Sequence, residues 1–234
     1  MPNKKTSEQE FLTTLTKISK AITSDLYLED ILKLIVSLTA SVMGAKTCAL
    51  WLLDDEKQEL RIRATQAVSE EYLKERSIGV GEGIVGLVAK EKKPVVILDV
   101  LEDEKYKKKT LAKKEGFVSM LSVPMLVKDK VIGVVNIYTD SEHKFTKSEI
   151  DLLSVVANQA AVAIENTELM VKTKVIQEEL ETRKKVEKAK GILMKQQGLS
   201  EDEAFGLIRK SSMNKRVSMK EIAEAIILNY EIIA

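Results

Sequence analysis

At 234 residues, with 44% hydrophobic and 31% charged side chains, the chain has room for one domain of about 150 residues and a smaller module, and its composition excludes wholesale disorder. Lys and Arg number 37 against 36 Asp and Glu, a formal net charge of +1, so any charge signal about partners has to be local. One cysteine and one histidine exclude an intramolecular disulfide and a Cys/His zinc cluster, and no acidic pair stands out from the solvated charge, so an enzyme is disfavoured and no metal or cofactor is evident.

The opening "MPNKKTSEQE" lacks the apolar core of a signal peptide, and no apolar run approaches the roughly 18 residues of a membrane span, so the expected location is cytoplasmic. Ser7-x-x-Glu10 reads as a capping box for a helix to Ile22, with Phe11, Leu12, Leu15, Ile18 and Ile22 on one face. A second apolar helix runs from Leu28 to Val42. Strand patterns follow in "TCALWLLD", "ELRIRAT", "PVVILDV", "FVSMLSVPMLV" and "VIGVVNIY", the last two joined by the tight turn "KDK". Cys48 lies in the first strand and reads as a buried structural thiol. Asp54 and Asp55 fall in the hairpin turn "DDEKQ" and make poor phosphoacceptors.

Between these strands "GEGIVG", residues 81–86, matches G-x-G-x-x-G, with Asp99 near the distance of a ribose-binding acid. That motif denotes a dinucleotide site only after a buried strand within a parallel βαβ unit. The charged "YLKERSIGV" before it, and Glu82 where pyrophosphate would lie, argue against one. The pattern as a whole predicts a largely antiparallel sheet flanked by helices, an α+β domain over residues 1–168.

Thr146-x-x-Glu149 is a further capping box, and neither Pro nor Gly occurs between it and Gly191. A continuous helix over residues 147–197 would be about 75 Å long. Leu169, Thr173, Ile176 and Leu180 keep a 4-3-4 spacing, the pattern of a coiled-coil seam, so residues 147–190 read as a connecting helix that makes a homodimer.

Residues "IGVGEGIVGLVAKEKKPVVILDV", with "GFVSMLSVPMLVKDKVIGVVNIYTDSEHKFTKSEIDLLSVVANQAAVAIENTEL", resemble the second half of a GAF domain, a resemblance that extends over roughly residues 8–168. It implies a six-stranded antiparallel sheet with helices on both faces; many members bind a small molecule between sheet and helices or simply dimerise, so the candidate ligand here is an unidentified small molecule. Tyr106, Ser119 and Asn136 are the pocket-lining candidates it implies, each open to an ordinary packing role. The cyclic-nucleotide pattern is only partly present, since Phe145 and Glu149 match but Ile150 replaces the second acid. A bilin would need an accessible cysteine, and a haem would have only His143.

The tail reads as three helices: the end of the long one, stopped by Gly198, a second capped by Ser200-x-x-Glu203, and a third capped by Ser218-x-x-Glu221 and running to about Tyr230. Ile192, Leu193, Leu199, Ala204, Leu207, Ile208, Ile222, Ala223, Ile226 and Ile227 supply the apolar stripes. Over residues 183–220 eleven cations face four carboxylates, a local excess of +7 that points to a polyanion. A DNA-reading last helix would carry Glu221, Glu224 and Glu231 against Lys220 towards the phosphates, whereas the basic residues gather on the long helix and at "MNKR", which favours a folded RNA.

The run "RKKVEKAKGILMKQQGLSEDEAFGLIRKSSMNKRVSMKEIAEAII" resembles an ANTAR domain, the RNA-binding module of bacterial transcription antiterminators, over about residues 178–232 within an all-α unit taken as 178–234. The resemblance implies a dimer that binds paired hairpins in an mRNA leader so that an overlapping terminator cannot form. Lys188, Lys190, Lys195, Arg209, Lys210, Lys215 and Arg216 are the expected phosphate contacts, with Phe205 read either as a base-stacking residue or as core. Gly191 fits close RNA approach or tight helix packing, and Ser212 stands where many members have Ala. The rival readings are a DNA-binding transcription factor and a ligand sensor whose tail docks a protein.

Overall fold

The computed structural model describes residues 8–22, 27–66 and 77–233. The chain divides into two compact units, one ending at Thr167 and the other starting at Glu168.

The first unit begins with helices α1 (Glu8–Ile22) and α2 (Leu28–Met43). Ser7 and the side chains of Glu10 and Phe11 lie outside the described residues, and so does the capping box they would form. Leu12, expected on the buried face, is instead 61% exposed; Thr14, Ile18 and Ala21 bury their side chains, with Leu15 and Ile22 half-buried beside them. The sheet comprises β1 (Thr47–Asp54), β2 (Glu59–Thr65), β3 (Ser77–Gly79), β4 (Val95–Ile97), β5 (Met120–Val127) and β6 (Lys130–Tyr138), in the spatial order β3-β2-β1-β6-β5-β4 with every pair antiparallel. Strands β1 and β6 are central and covered on both faces, which is why their sequences run apolar rather than alternating. Lys128, with φ +54°, turns the chain between β5 and β6.

Two further helices, α3 (Gly83–Glu91) and α4 (Lys109–Glu115), complete this unit with the start of α5 (Lys147–Gln197). One sheet face, with Cys48, Leu50, Val123, Val135 and Ile137, packs on α1, α2 and the Leu153–Ile164 stretch of α5. The other, with Ala49, Trp51, Met120, Val134 and Tyr138, packs on α3 and α4. Burial pushes the Cys48 thiol far above its ordinary range, so it is inert as a nucleophile at neutral pH. Thr146 and Glu149 form the expected capping box at the start of α5, with the Thr146 N–H donating to Glu149 Oε2 at 2.7 Å and the Glu149 N–H to Thr146 Oγ1 at 3.3 Å.

The G-x-G-x-x-G segment does open a helix after a strand, but β3 is a three-residue edge strand antiparallel to β2, so no parallel βαβ unit surrounds it among the described residues. Its last glycine serves packing: a Cβ on Gly86 would lie 2.2 Å from the Gly79 carbonyl oxygen.

The second unit contains the rest of α5, α6 (Glu201–Lys215) and α7 (Met219–Ile233). Gly198, with φ +65°, stops α5 as the left-handed residue that glycine adopts without strain. The core joins Val186, Ala189 and Leu193 of α5 to Ala204 and Ile208 of α6 and Ile222 and Ala223 of α7. Leu207, expected in the stripe, is 40% exposed.

Reciprocal capping boxes start both short helices. The Ser200 N–H donates to Glu203 Oε2 at 2.9 Å, and the Glu203 N–H to Ser200 Oγ at 3.3 Å. Ser218 and Glu221 repeat this at 2.8 and 3.1 Å. In each box the backbone N–H and then the hydroxyl of the serine pull the glutamate pKa below its ordinary 4.5. A carboxylate depressed on folding adds stability above its unfolded pKa, and that stability is lost as pH falls through the folded value. The Tm of the chain, followed by helical circular dichroism, is therefore expected to drop below pH 4.5, and E203Q/E221Q, which keeps capping oxygens but cannot titrate, to flatten that drop.

Candidate nucleic-acid interface

Three α5 lysines of the basic segment are already held by carboxylates. Lys185 pairs with Glu224, and Lys188 Nζ lies 2.7 Å from Glu231 Oε1. Lys190 is 6% exposed and lies 2.6 Å from Glu201 and 3.0 Å from Glu187. The hydrogen bonds that Lys190 donates to Glu201 and then to Glu187 raise its pKa above the ordinary value, so it stays charged but spends its donors inside the unit. The acidic residues of α7 thus have internal duties: Glu221 caps its helix, while Glu224 and Glu231 answer α5.

Lys195, Arg209, Lys210, Lys215 and Arg216 are exposed and have no ion-pair partner among the described residues. On α6, Phe205, Arg209 and Ser212 follow i, i+4, i+7 spacing, with Arg216 at i+11 as the left-handed C-cap, and such positions share one helix face. Phe205 is 41% exposed rather than core, at the lip of an open groove beside Val175, Val186 and Met219. The Ser212 hydroxyl turns away from solvent and donates to the Val217 carbonyl at 2.6 Å, joining the end of α6 to the start of α7. On α5, Lys184, Lys188, Gly191 and Lys195 repeat the same spacing.

Gly191 is exposed, and a Cβ there would meet nothing within 4 Å, so internal packing does not require this glycine. Gly206 on α6, which no sequence pattern singles out, is equally open. A glycine in a helix interior costs about 1 kcal/mol relative to alanine, a cost that internal packing offsets at neither position.

The expected seam residues are exposed, Leu169 by 53%, Ile176 by 63% and Leu180 by 51%, and Thr173 is exposed with them. Met170, Val171 and Val175 are exposed on the same stretch of α5.

In the first unit the three pocket candidates separate. Tyr106 lines a cavity of about 140 Å³ between the sheet and α3, together with Trp51, Ile84, Met120 and Tyr138. Asn136 pairs in register with Ala49 on β1 and Ser122 on β5, which places it on the sheet face that packs on α3 and α4. Ser119 has a structural position: its hydroxyl donates to the Leu98 carbonyl and accepts from the His143 N–H at 2.9 Å. Trp51 and the first turn of α3 were not foreseen. The signal available for them was the sole tryptophan and the glycine cluster at a helix start.

A curled antiparallel sheet between two helical layers, continued by a three-helix unit, defines a GAF-type domain joined to a helical module. The chain belongs to the GAF domain family, whose model matches residues 26–165, and an ANTAR domain follows over residues 174–227. It is similar to the Nif-specific regulatory protein of Herbaspirillum seropedicae, at 24% identity over 217 residues, covering 87% of this chain and 39% of that protein. The transcriptional regulatory protein PdtaR of Mycobacterium tuberculosis is 36% identical over 77 residues, covering 33% of this chain and 38% of that protein. The chain thus spans under two-fifths of either relative's length. The GAF domain of a phosphoenolpyruvate-protein phosphotransferase from Coxiella burnetii superposes with a TM-score of 0.64 at 24% identity, covering 70% of this chain and 98% of that one, which shows the shared fold.

No helix among the described residues is long and apolar enough to cross a membrane.

Proposed function

We propose that the chain is a signal-responsive transcription antitermination regulator without catalytic activity. Its ANTAR unit, as a dimer, binds paired hairpins in the leader of a nascent mRNA, and the GAF domain controls that binding. The hairpins, held by protein, withhold the RNA needed for an overlapping terminator, and polymerase reads through. The observation that carries this reading is the set of exposed cations without ion-pair partners among the described residues, Arg209 one turn from the exposed Phe205 among them, in the unit that matches the ANTAR model. Phosphates take the cations, and unpaired loop bases offer faces to an exposed aromatic ring. The name of the PdtaR relative, a transcriptional regulatory protein, agrees with this assignment. The apolar stretch of α5 from Leu169 to Leu180 needs a cover, and a second copy supplies one along the coiled-coil spacing. Such a protein works in the cytoplasm, where transcripts emerge.

The reading is tested by transcription in vitro from a template whose leader carries two small hairpins ahead of an overlapping terminator. Added protein is expected to raise read-through, and unchanged termination at saturating protein with the GAF domain removed would contradict it.

Gly191→Ala separates an RNA-approach role from a folding role. With open space around it, alanine is expected to stabilise the helix by up to about 1 kcal/mol. If RNA backbone approaches Gly191, the same variant binds hairpin RNA more weakly while melting higher. Thermal unfolding and hairpin titration on one preparation check both signs.

A further inference from the structure

Several hydrogen-bond donors at the cavity between the sheet and α3 have no acceptor among the described residues. Trp51 is 2% exposed and lines the cavity, and its indole N–H has no partner. On the same sheet face, Asn136 accepts from the Ser122 hydroxyl at 2.7 Å and leaves its own NH₂ group unpaired, at 0% exposure. Buried donors without acceptors are costly, and the Trp51 N–H in the cavity wall marks a place for an acceptor atom.

The first turn of α3 adds to this. Gly83, Ile84 and Val85 line the cavity, and their N–H groups have no acceptor among the described residues. Glu82, at the N-cap position, makes no capping hydrogen bond. Its carboxylate goes instead to Lys107, at 3.0 Å, and to the Gly79 N–H, at 3.4 Å. Glu82, the one acidic residue of the lining among the described residues, is therefore neutralised, whereas Lys108, at the same rim, has no ion-pair partner among them. The positive end of the helix and this ammonium act together there.

Resting on the GAF sensor reading above, and naming its ligand class, we propose that this cavity binds a small organic acid. Its carboxylate sits at the first turn of α3 near Lys108, and its short carbon chain lies against Trp51, Met120 and Tyr138, within reach of the indole N–H. The volume limits the ligand: about 140 Å³ is room for roughly five waters at about 30 Å³ each. Ligand sites of drug size begin near 300 Å³, so the cavity suits a compact ligand. An inorganic anion would satisfy the donors but leave the apolar wall without a partner.

Trp51 is the only tryptophan, so its emission reports this site directly in the full chain. The probes are acetate, malonate and succinate as sodium salts, with sodium sulfate and sodium chloride at matched ionic strength and uncharged succinamide as controls. At least one carboxylate is expected to change the emission saturably, with no saturation by chloride or succinamide. Lys108→Ala, an exposed change, is expected to raise the apparent Kd about tenfold. The proposal is overturned if none of the three carboxylates saturates, if sulfate binds as tightly as the best of them, or if Lys108→Ala leaves the Kd unchanged. No RNA enters this titration, so its failure leaves the RNA reading standing, and failure of RNA binding leaves a saturable emission change intact.

Discussion

Replacing Arg209 and Arg216 together by glutamate is expected to weaken hairpin binding about a hundredfold or more at roughly 0.1 M salt, without loosening the fold. Each phosphate contact contributes about 0.7–0.9 to the slope of log K against log salt, which near 0.1 M is several-fold in affinity. Removing both guanidinium groups from their phosphates therefore weakens binding tens-fold, and two carboxylates placed against the same phosphates add repulsion. Both arginines are exposed and without ion-pair partners among the described residues, so the unit has little to lose by the change. The comparison variant is Lys190→Met. Because Lys190 is spent on Glu201 and Glu187, its loss is expected to lower the Tm and leave the salt slope unchanged, whereas R209E/R216E is expected to reduce the slope by about two and leave the Tm unchanged. Filter binding over a salt series, beside thermal melts, measures all four quantities. Equal slopes for wild type and R209E/R216E would remove these arginines from the interface.

The second large effect is expected at the helix seam. Leu169, Ile176 and Leu180 touch no core of their own unit, being at least half exposed, so changing all three to Asp costs the single chain no packing and only about a few tenths of a kcal/mol each in helix propensity. In a parallel pair the same change sets carboxylates against one another in a seam that depends on apolar contact. Sedimentation is expected to show a dimer for the wild type and a monomer for the triple variant at roughly tens of micromolar. Linked binding of two hairpins strengthens association by about 10²–10⁴ over one, so the monomer is expected to lose that factor on a two-hairpin RNA while holding a single hairpin as before. A wild-type monomer under these conditions would remove the dimer from the account.

What the sequence reveals, and what it conceals, follows the range of the interactions concerned. The capping boxes at Thr146, Ser200 and Ser218 and the stop at Gly198 depend on residues within one turn, and each is found where the spacing places it. Strands β1, β5 and β6 are legible as long apolar runs and β2 as an alternation of apolar and charged residues, but β3 has three residues and α4 seven, too short for a periodicity to declare itself. Leu12 and Leu207 fall in the predicted stripes because helical spacing fixes a face only to within a residue or so of its edge. Lys190 groups with the phosphate contacts because its charge is plain in the sequence, whereas its partner Glu201 lies across a helix end. The α7 acids argue against DNA on charge alone, and their pairing with Lys185 and Lys188 emerges only once α5 and α7 are seen together. In the same way Trp51 looks like one more apolar residue of β1, and its unpaired N–H is visible only against the cavity.

The central claim, that a dimeric ANTAR unit holds paired RNA hairpins, is tested most directly by titrating the full chain against three nucleic acids in one salt series. These are an RNA with two small hairpins, the same RNA with one, and duplex DNA of equal length. The account predicts binding in the order two hairpins, one hairpin, duplex DNA, with the two-hairpin advantage lost in the Leu169, Ile176 and Leu180 variant. Equal affinity for all three at matched salt would contradict it and leave a nonspecific polyanion surface in its place.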